Sequence, residues 1–229
     1  MSNGRGGPDI VGPMSIPTLL DHIVIAGPSL EELVDWFHDL TGVTAAPGGA
    51  HPVGTANALV ALTVAGQRRP HYLELVGPDP EREGDELPKM FNIHRLKKPT
   101  LITYAAHPEN IDQVLERARA DGVDLGEVRD LSRRTPDGEL LQWRLTQAPA
   151  PVNYGLPFLI DWGATEQPGL SDLPTVELVS FARVEVKSEP LRKATAALGL
   201  GEGLAEIREG RGSRFTLTLR TEDGREVEI

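Results

Sequence analysis

Two ionisable side chains fall in the middle of short apolar segments of the chain. The segments Leu19–Ala26 and His71–Val76 each end at a Gly-Pro pair, which is typical of strands. Because side chains alternate between the faces of a strand, His22 and Glu74 each lie opposite a clearly apolar face. A carboxylate in the middle of a sheet needs a partner or a metal ion. The pattern predicts half of a divalent-metal site; the alternative is a hydrogen-bonded structural histidine beside a glutamate that pairs with an arginine or faces solvent.

A second histidine could extend this half-site. His51 stands in a Gly/Pro-rich stretch before the predicted strand Asn57–Val64, and a loop can place a ligand there without sheet geometry. His22, His51 and Glu74 would form a two-histidine, one-carboxylate set with open positions, which suits iron, manganese, zinc or nickel. Two alternatives remain open: a metal-free pocket with the same polar residues, and an ordinary loop histidine with no site beside it. Asn57 could orient a ligand oxygen as a substrate-binding residue.

Two later predicted strands, near 139–146 and 158–162, carry further candidates. Arg144 could bind a substrate carboxylate with two hydrogen bonds, or it could pair with Asp161 or another cross-strand carboxylate. Asp161 and Glu74 are the candidate catalytic acid or base residues, and Asp161 could equally be the ion-pair partner of Arg144. Trp162 could line an apolar substrate pocket, although an indole in a sheet is usually core. The pair Arg133-Arg134 could steer an anion, but the favoured interpretation is a solvated loop.

The predicted elements that must position these residues recur in the same order. The first copy is a strand, then a helix that begins after Ser29 and ends at Gly42, then further strands. The second copy is a strand, then a helix over 111–121, then two strands. Repeats of this size indicate duplicated units that bury a face by stacking on a neighbour. The predicted division is a flexible leader 1–17, a first unit 18–80, a connecting loop or lid 81–98, a second unit 99–165, and a third unit 175–229 that is structural or dimerising.

Composition excludes several classes of function. The chain has 229 residues, 39% hydrophobic and 25% charged, so it can bury a core. It contains no cysteine, which excludes disulfides, thiolate zinc sites and cysteine nucleophiles. Its net charge of −11 disfavours nucleic acid or anionic membrane as a partner. No phosphate loop or dinucleotide fingerprint is present, so no nucleotide cofactor is expected. Without a signal-peptide core or a long apolar run, we expect a cytoplasmic protein.

A set of local motifs resembles one branch of a known superfamily. Together they are similar to a glyoxalase-like domain of the vicinal oxygen chelate superfamily over roughly residues 19–163. The motifs are Leu20-Asp21-His22-Ile23-Val24-Ile25-Ala26, Gly48-Gly49-Ala50-His51-Pro52, Gly54-Thr55-Ala56-Asn57-Ala58-Leu59, Tyr72-Leu73-Glu74-Leu75-Val76-Gly77-Pro78-Asp79-Pro80, Ser132-Arg133-Arg134-Thr135-Pro136-Asp137-Gly138, Trp143-Arg144-Leu145 and Leu156-Pro157-Phe158-Leu159-Ile160-Asp161-Trp162.

The resemblance implies an α+β fold built from tandem βαβββ modules, whose curved sheets form an open, cup-shaped barrel. In metal-dependent relatives, side chains from the first and last strands of both modules hold a divalent ion in the cup. His22 and Glu74 match these positions in the first module. The second module departs from the pattern, because Thr103 stands at the position of His22 and Ile160 at that of Glu74, with Asp161 one residue out of register.

The function implied is that of a small-molecule lyase, isomerase or dioxygenase whose metal chelates adjacent substrate oxygens. The alternative is a metal-free protein that binds or sequesters a small molecule in the same cup, as resistance proteins of the superfamily do. That alternative favours an aromatic-lined pocket, and the chain has only 11 aromatic residues. A third hypothesis is an interaction module whose cup is filled by its own side chains. An odd number of modules favours a homodimer.

Overall fold

The protein has a mixed α+β structure with one large, twisted β-sheet that does not close on itself. The computed structural model describes residues 19–134, 138, 140–148, 152–200 and 204–229. The strands are β1 (Leu20–Ala26), β2 (Ala46–Ala50), β3 (Thr55–Val64), β4 (Gln67–Pro78), β5 (Thr100–Ala106), β6 (Glu127–Arg134), β7 (Leu140–Gln147), β8 (Phe158–Asp161), β9 (Thr175–Glu185), β10 (Glu206–Glu209), β11 (Arg214–Arg220) and β12 (Glu226–Glu228). The helices are α1 (Leu30–Thr41), α2 (Ile111–Ala120) and α3 (Glu189–Ala197), with 3₁₀ segments at Met90–Arg95 and Pro168–Leu170.

The predicted fold class is confirmed. The order β-α-β-β-β occurs in 20–78 and again in 100–161, and in both cases the first strand runs parallel to the last. We call these stretches the first and second modules. They join where β1 pairs antiparallel with β5, in a sheet ordered β12-β11-β9-β3-β4-β1-β5-β8-β7-β6. The predicted leader 1–17 and the predicted strand start at Glu139 lie outside the described residues. None of the described helices is long and apolar enough to cross a membrane.

The third repeat of the element order extends the same sheet with a different pairing. Its first strand, β9, runs parallel to β3 of the first module and antiparallel to β11. Its aromatic side chains reach the second module, since Phe181 and Phe215 both lie edge-on to Tyr104. The repeat is therefore packed on the first two modules, and its predicted role in dimerisation stays a prediction.

A bulge in β1 changes which residues face the site. Leu20 pairs with Ala106 and Ile23 with Tyr104, so three steps along β1 oppose two steps along β5. Leu20 consequently packs in the main core with Ile23, rather than sharing a face with His22 as simple alternation predicts. The extra residue lets the neighbouring side chains of Asp21 and His22 contact each other.

The Gly/Pro-rich stretch before the Asn57 strand is itself a strand, β2, and not the loop that its composition predicts. A Cβ on Gly48 would lie 2.1 Å from Asn57 Oδ1, and one on Gly49 would lie 2.6 Å from Arg133 Nη1. The two glycines therefore leave room for these two polar side chains. His51 follows directly, in the turn between β2 and β3.

Candidate functional site

A cavity of about 370 Å³ lies between the first two modules, on the side of the sheet that carries His22. The first module supplies a polar floor, and the second module together with the 3₁₀ segment 90–95 supplies mostly apolar walls. The floor comprises His22, His51, Asn57, Tyr72 and Glu74; the walls include Met90, Phe91, Leu131, Trp143, Leu145, Phe158, Ile160 and Trp162. The cup contains this cavity, whereas the hypothesis of an interaction module expects a cup filled by its own side chains.

His22 is held in a defined orientation by its neighbour in the β1 bulge. Its Nδ1 lies 2.7 Å from Asp21 Oδ1, and both side chains are almost fully buried. A carboxylate can only accept, so Nδ1 carries the proton and donates it. Asp21 is fixed in turn by the Trp162 indole, whose Nε1 donates to Oδ2 at 3.0 Å. In the neutral imidazole, His22 Nε2 is then the acceptor nitrogen, and it lies on the floor of the cavity.

His51 is anchored in an equivalent way from the β2–β3 turn. Its Nδ1 lies 2.8 Å from the Thr55 hydroxyl, which donates its own proton to the Met90 sulfur. The hydroxyl oxygen therefore accepts from Nδ1–H. His51 Nε2 faces the floor and accepts a 3.3 Å hydrogen bond from Asn57 Nδ2.

The two histidines converge on Glu74, which is only 8% exposed. His22 Nε2 lies 3.6 Å from Oε2, and His51 Nε2 lies 3.9 Å from Oε1. Asn57 Nδ2 donates to Oε1 at 2.6 Å, while the buried Asn57 Oδ1 has no hydrogen-bond partner. The structure brings together the four predicted residues His22, His51, Asn57 and Glu74, and their roles as metal-ligating or substrate-binding residues stay predictions.

The floor of the cavity brings several hydrogen-bond acceptors close together. In the neutral tautomers that Asp21 and Thr55 select, both histidine Nε2 atoms face the Glu74 carboxylate, so acceptor faces acceptor. Burial lowers the pKa of His51, and the nearby Glu74 carboxylate offsets this only in part, so a proton is disfavoured there. A metal ion would satisfy the same three groups. As the side chains stand, however, the described residues contain no cluster of three His, Asp or Glu side chains arranged to hold a metal ion.

Aromatic rings enclose the imidazole of His22. Tyr72 stacks on it with ring centroids 4.6 Å apart, and Phe158 approaches edge-on at 5.3 Å. Burial, together with the Asp21 and Glu74 carboxylates, raises the pKa of Tyr72 well above its ordinary value, so the phenol stays protonated. Trp162 lines the cavity and also belongs to a buried cluster beside Trp143, so it agrees with both the pocket and the core interpretation; its indole also holds Asp21.

Arg144 and Asp161 lie outside the cavity, which corrects their proposed roles in substrate binding and catalysis. Arg144 donates to both oxygens of Asp112 on α2, at distances from 2.9 to 3.1 Å. It also lies 3.7 Å from Asp161 and from Asp130. Alternation along β7 and β8 explains the placement, because Trp143 and Ile160 face the cavity and their neighbours face outward. The ion-pair alternative for both residues agrees with the structure.

The second module contributes Thr103 and Ile160 to the lining, and neither adds a carboxylate or an imidazole. It does contribute a cation that sequence reasoning placed in solvent. Arg133 lines the cavity, and its Nη1 donates to Gly48 O at 2.7 Å. The signal that could have found it is the Gly48-Gly49 pair, which makes room for a large side chain opposite.

Comparison with known families agrees with this architecture. The family model described as a glyoxalase-like domain matches residues 20–200. The chain belongs to this family. Glyoxalase-like domains are members of the vicinal oxygen chelate superfamily, so the resemblance seen in the motifs is confirmed. The coarse function that follows is a small-molecule enzyme or binder of the superfamily type.

Solved structures give a likeness of fold. A hypothetical protein from Staphylococcus aureus superposes with a TM-score of 0.63 at 13% identity, covering 91% of this chain and 97% of that one. Methylmalonyl-CoA epimerase from Mycobacterium tuberculosis gives a TM-score of 0.38 at 21% identity, covering 64% and 88%. A Streptomyces coelicolor methylmalonyl-CoA epimerase variant in complex with 2-nitronate-propionyl-CoA gives 0.43 at 22% identity, covering 66% and 99%. These scores give no argument about reaction. No protein with a curated description matches the chain.

Proposed function

We propose that this glyoxalase-like protein is a small-molecule enzyme that works with a divalent metal ion held by His22, His51 and Glu74. One observation carries the proposal: two histidine Nε2 atoms, each fixed through its own Nδ1, converge on the two oxygens of one buried carboxylate. Histidines oriented in this way by a second hydrogen bond are typical of metal ligands.

The distances support this donor set. Ligands bound at about 2.1 Å from a tetrahedral ion lie about 3.4 Å from one another. The separations of 3.6 Å and 3.9 Å between the histidine nitrogens and Glu74 are slightly larger, so small side-chain rotations would close them. Three protein ligands leave positions open for a substrate with adjacent oxygens, and the metal when bound would polarise those oxygens.

The chain's own groups have separate tasks in this proposal. Asp21 and Thr55 keep the two imidazoles in the ligand tautomer, and Asn57 orients Glu74. Glu74 Oε2 accepts no hydrogen bond from the described residues, so it is the atom placed to take a proton from a substrate carbon. The apolar walls exclude water from that transfer. The reaction class that we propose is a lyase or isomerase, or a dioxygenase if the metal is iron.

Metal analysis tests the proposal directly. We expect near-stoichiometric divalent metal in wild-type protein purified without a histidine tag, and its loss in His22→Ala and Glu74→Gln. His38→Ala, which removes an exposed histidine of α1, is the matched control and should keep the metal. Absence of metal from the wild type after reconstitution with iron, manganese, zinc and nickel would reject the metalloenzyme.

A metal-free binding protein is the second candidate, and a specific observation favours it. Six of the chain's eleven aromatic residues line this one cavity, so the small supply is concentrated where a ligand would lie. They are Tyr72, Phe91, Trp143, Tyr154, Phe158 and Trp162. The two candidates separate cleanly, because a binder keeps its ligand affinity in EDTA and shows no turnover with metal.

A further inference from the structure

One cationic side chain reaches the cavity from the second module. Arg133 extends from β6 to β2, where it donates to the Gly48 carbonyl. Among the described residues that line the cavity, it is the one lysine or arginine. Gly49 leaves the space that the guanidinium occupies, since a Cβ there would lie 2.6 Å from Nη1. The placement of Arg133 is thus built into both modules.

Arg133 forms no salt bridge within the described part of the chain, and the Glu74 carboxylate acts on its charge only at longer range. A guanidinium has five N–H donors, and Arg133 uses one of them, on a neutral carbonyl. No described carboxylate forms a salt bridge with it, whereas Arg144 on the outer face lies near three. Burial lowers the pKa of Arg133 in spite of the opposing field of Glu74. A partly buried guanidinium without a directly bonded anion is unfavourable, and an anionic ligand would supply one.

The rest of the cavity favours an aromatic body for that ligand. Trp143, Phe158 and Phe91 form its walls, and flat rings pack well against such surfaces. A volume of about 370 Å³ is near the lower end for small-molecule pockets, so the ligand is compact. The Glu74 carboxylate on the floor repels the acid group of a ligand, so that acid group is expected to bind at Arg133.

We propose that the cup binds a compact aromatic carboxylate, with the acid group on Arg133 and the ring between the aromatic walls. This inference rests on the proposed function and names its substrate class. The part of the molecule that reacts would then face His22, His51 and Glu74. Arg133 becomes the residue that determines specificity for anionic substrates.

Two isosteric probes test the inference: 3-phenylpropionate and its neutral analogue 3-phenylpropionamide. Binding is measured by titration calorimetry and by quenching of tryptophan fluorescence, since Trp143 and Trp162 line the cavity. We expect wild-type protein to bind the acid at least tenfold more tightly than the amide. Arg133→Gln should weaken the acid by roughly ten- to hundredfold and leave the amide unchanged. Arg144→Gln, which removes a guanidinium outside the cavity, should change neither affinity.

Equal affinity of wild type for acid and amide, or binding of neither, would overturn the inference, and this comparison needs no variant. An unchanged acid affinity in Arg133→Gln would also overturn it. The titrations are run in EDTA as well as with metal, so the result is separate from metal content. Acid selectivity without any bound metal would reject the metalloenzyme and support the aromatic carboxylate; stoichiometric metal without acid selectivity would do the reverse.

Discussion

The carboxylate of Asp21 determines how the floor of the cup presents His22. It is 1% exposed, and it accepts from both His22 and Trp162, so it links the first-module floor to a second-module wall. A neighbouring residue in a strand normally points to the opposite face, and the β1 bulge removes that restriction. The result is a charged acceptor behind the imidazole, which favours Nε2 as the free nitrogen.

Replacing this carboxylate should weaken metal binding. For Asp21→Asn we expect a loss of about 10- to 100-fold in metal affinity, because the amide no longer holds the Nδ1 proton with a full charge. Competition against a chelating dye measures the affinity, and ¹⁵N shifts of the His22 ring report the tautomer. Asp161→Asn, on the outer face, is the control. Wild-type affinity and tautomer in Asp21→Asn would show that Asp21 has no positioning role.

His71 should make stability depend on pH. Burial lowers its pKa below the ordinary 6.5, with partial compensation from the Leu20 backbone and Asp21. The unfolded chain therefore binds more protons, and the free energy of unfolding falls as pH drops below about 6.5, by at most about 1.4 kcal/mol per pH unit for one group.

Urea unfolding between pH 5 and 8 checks this dependence. His71→Gln should reduce the slope without abolishing it, since the pKa of His51 is lowered as well. The exposed His38→Gln variant should retain the wild-type slope. The same slope in His71→Gln as in wild type would contradict the assignment.

Several site residues were predictable from alternation alone, and others were not. His22 and Glu74 were predictable because each stands opposite an apolar strand face. His51 precedes the strand that carries Asn57, so a turn at that point brings it near the other two. Asp21 was hidden because a bulge leaves no pattern in a single strand. Arg133 was considered as an anion-steering residue, but a solvated loop was favoured because its partner is a backbone carbonyl, which leaves no pattern in the sequence.

At the scale of elements, the contact of α1 with β4 sets how closely the helix packs on the sheet. Gly77 lies against the first residue of α1: an added Cβ would come 2.5 Å from Leu30 N and 2.6 Å from its Cα. These are backbone atoms, so they cannot move aside as a flexible side chain can. Gly27, at the end of β1, would meet Leu33 Cβ at 3.4 Å.

A pair of glycine substitutions tests this packing. Gly77→Ala should lower the free energy of unfolding by about 1–3 kcal/mol, because the helix must shift from the sheet. Gly27→Ala should change it by a few tenths, since the new methyl group makes an ordinary contact. Both are measured by urea unfolding. Equal effects of the two substitutions would show that α1 moves without cost.

The element order was largely predictable, but the strands β2 and β6 were not. β1, β4, β5 and α1 follow from clear apolar periods and caps, and Ser29 accepts from Glu32 N as the predicted cap. β2 was interpreted as loop because its Pro and Gly residues have low strand propensity. In the structure β2 pairs with β3, and its Gly48 carbonyl accepts from Arg133, which is distant in sequence.

At the scale of the whole molecule, the third repeat is coupled to the other two through sheet and core. β9 continues the sheet from β3, and Phe215 stacks on Phe181 with centroids 5.4 Å apart while both touch Tyr104 of β5. An element order alone could not show this, because the third repeat pairs its first strand differently from the modules that precede it.

Truncation of this aromatic cluster should destabilise the whole chain. For Phe215→Ala we expect a loss of about 3–5 kcal/mol in a single transition. Trp36 and Trp143 lie in the first two modules and Trp162 directly follows the second, so their fluorescence reports on unfolding away from the mutated site. Leu170→Ala, at a half-exposed position, is the control. Two separate transitions, with the tryptophan signal unchanged by Phe215→Ala, would show an independent third unit.

The floor of the cup belongs to one module and most of its walls to the other. A substitution at Leu131, Trp143 or Phe158 changes the shape offered to a ligand and touches none of the donor atoms of His22, His51 or Glu74. The hydrogen bonds Trp162–Asp21 and Arg133–Gly48 connect the two halves across this division. A protein organised in this way can acquire new substrates through one half of its sequence while the other half retains its chemistry.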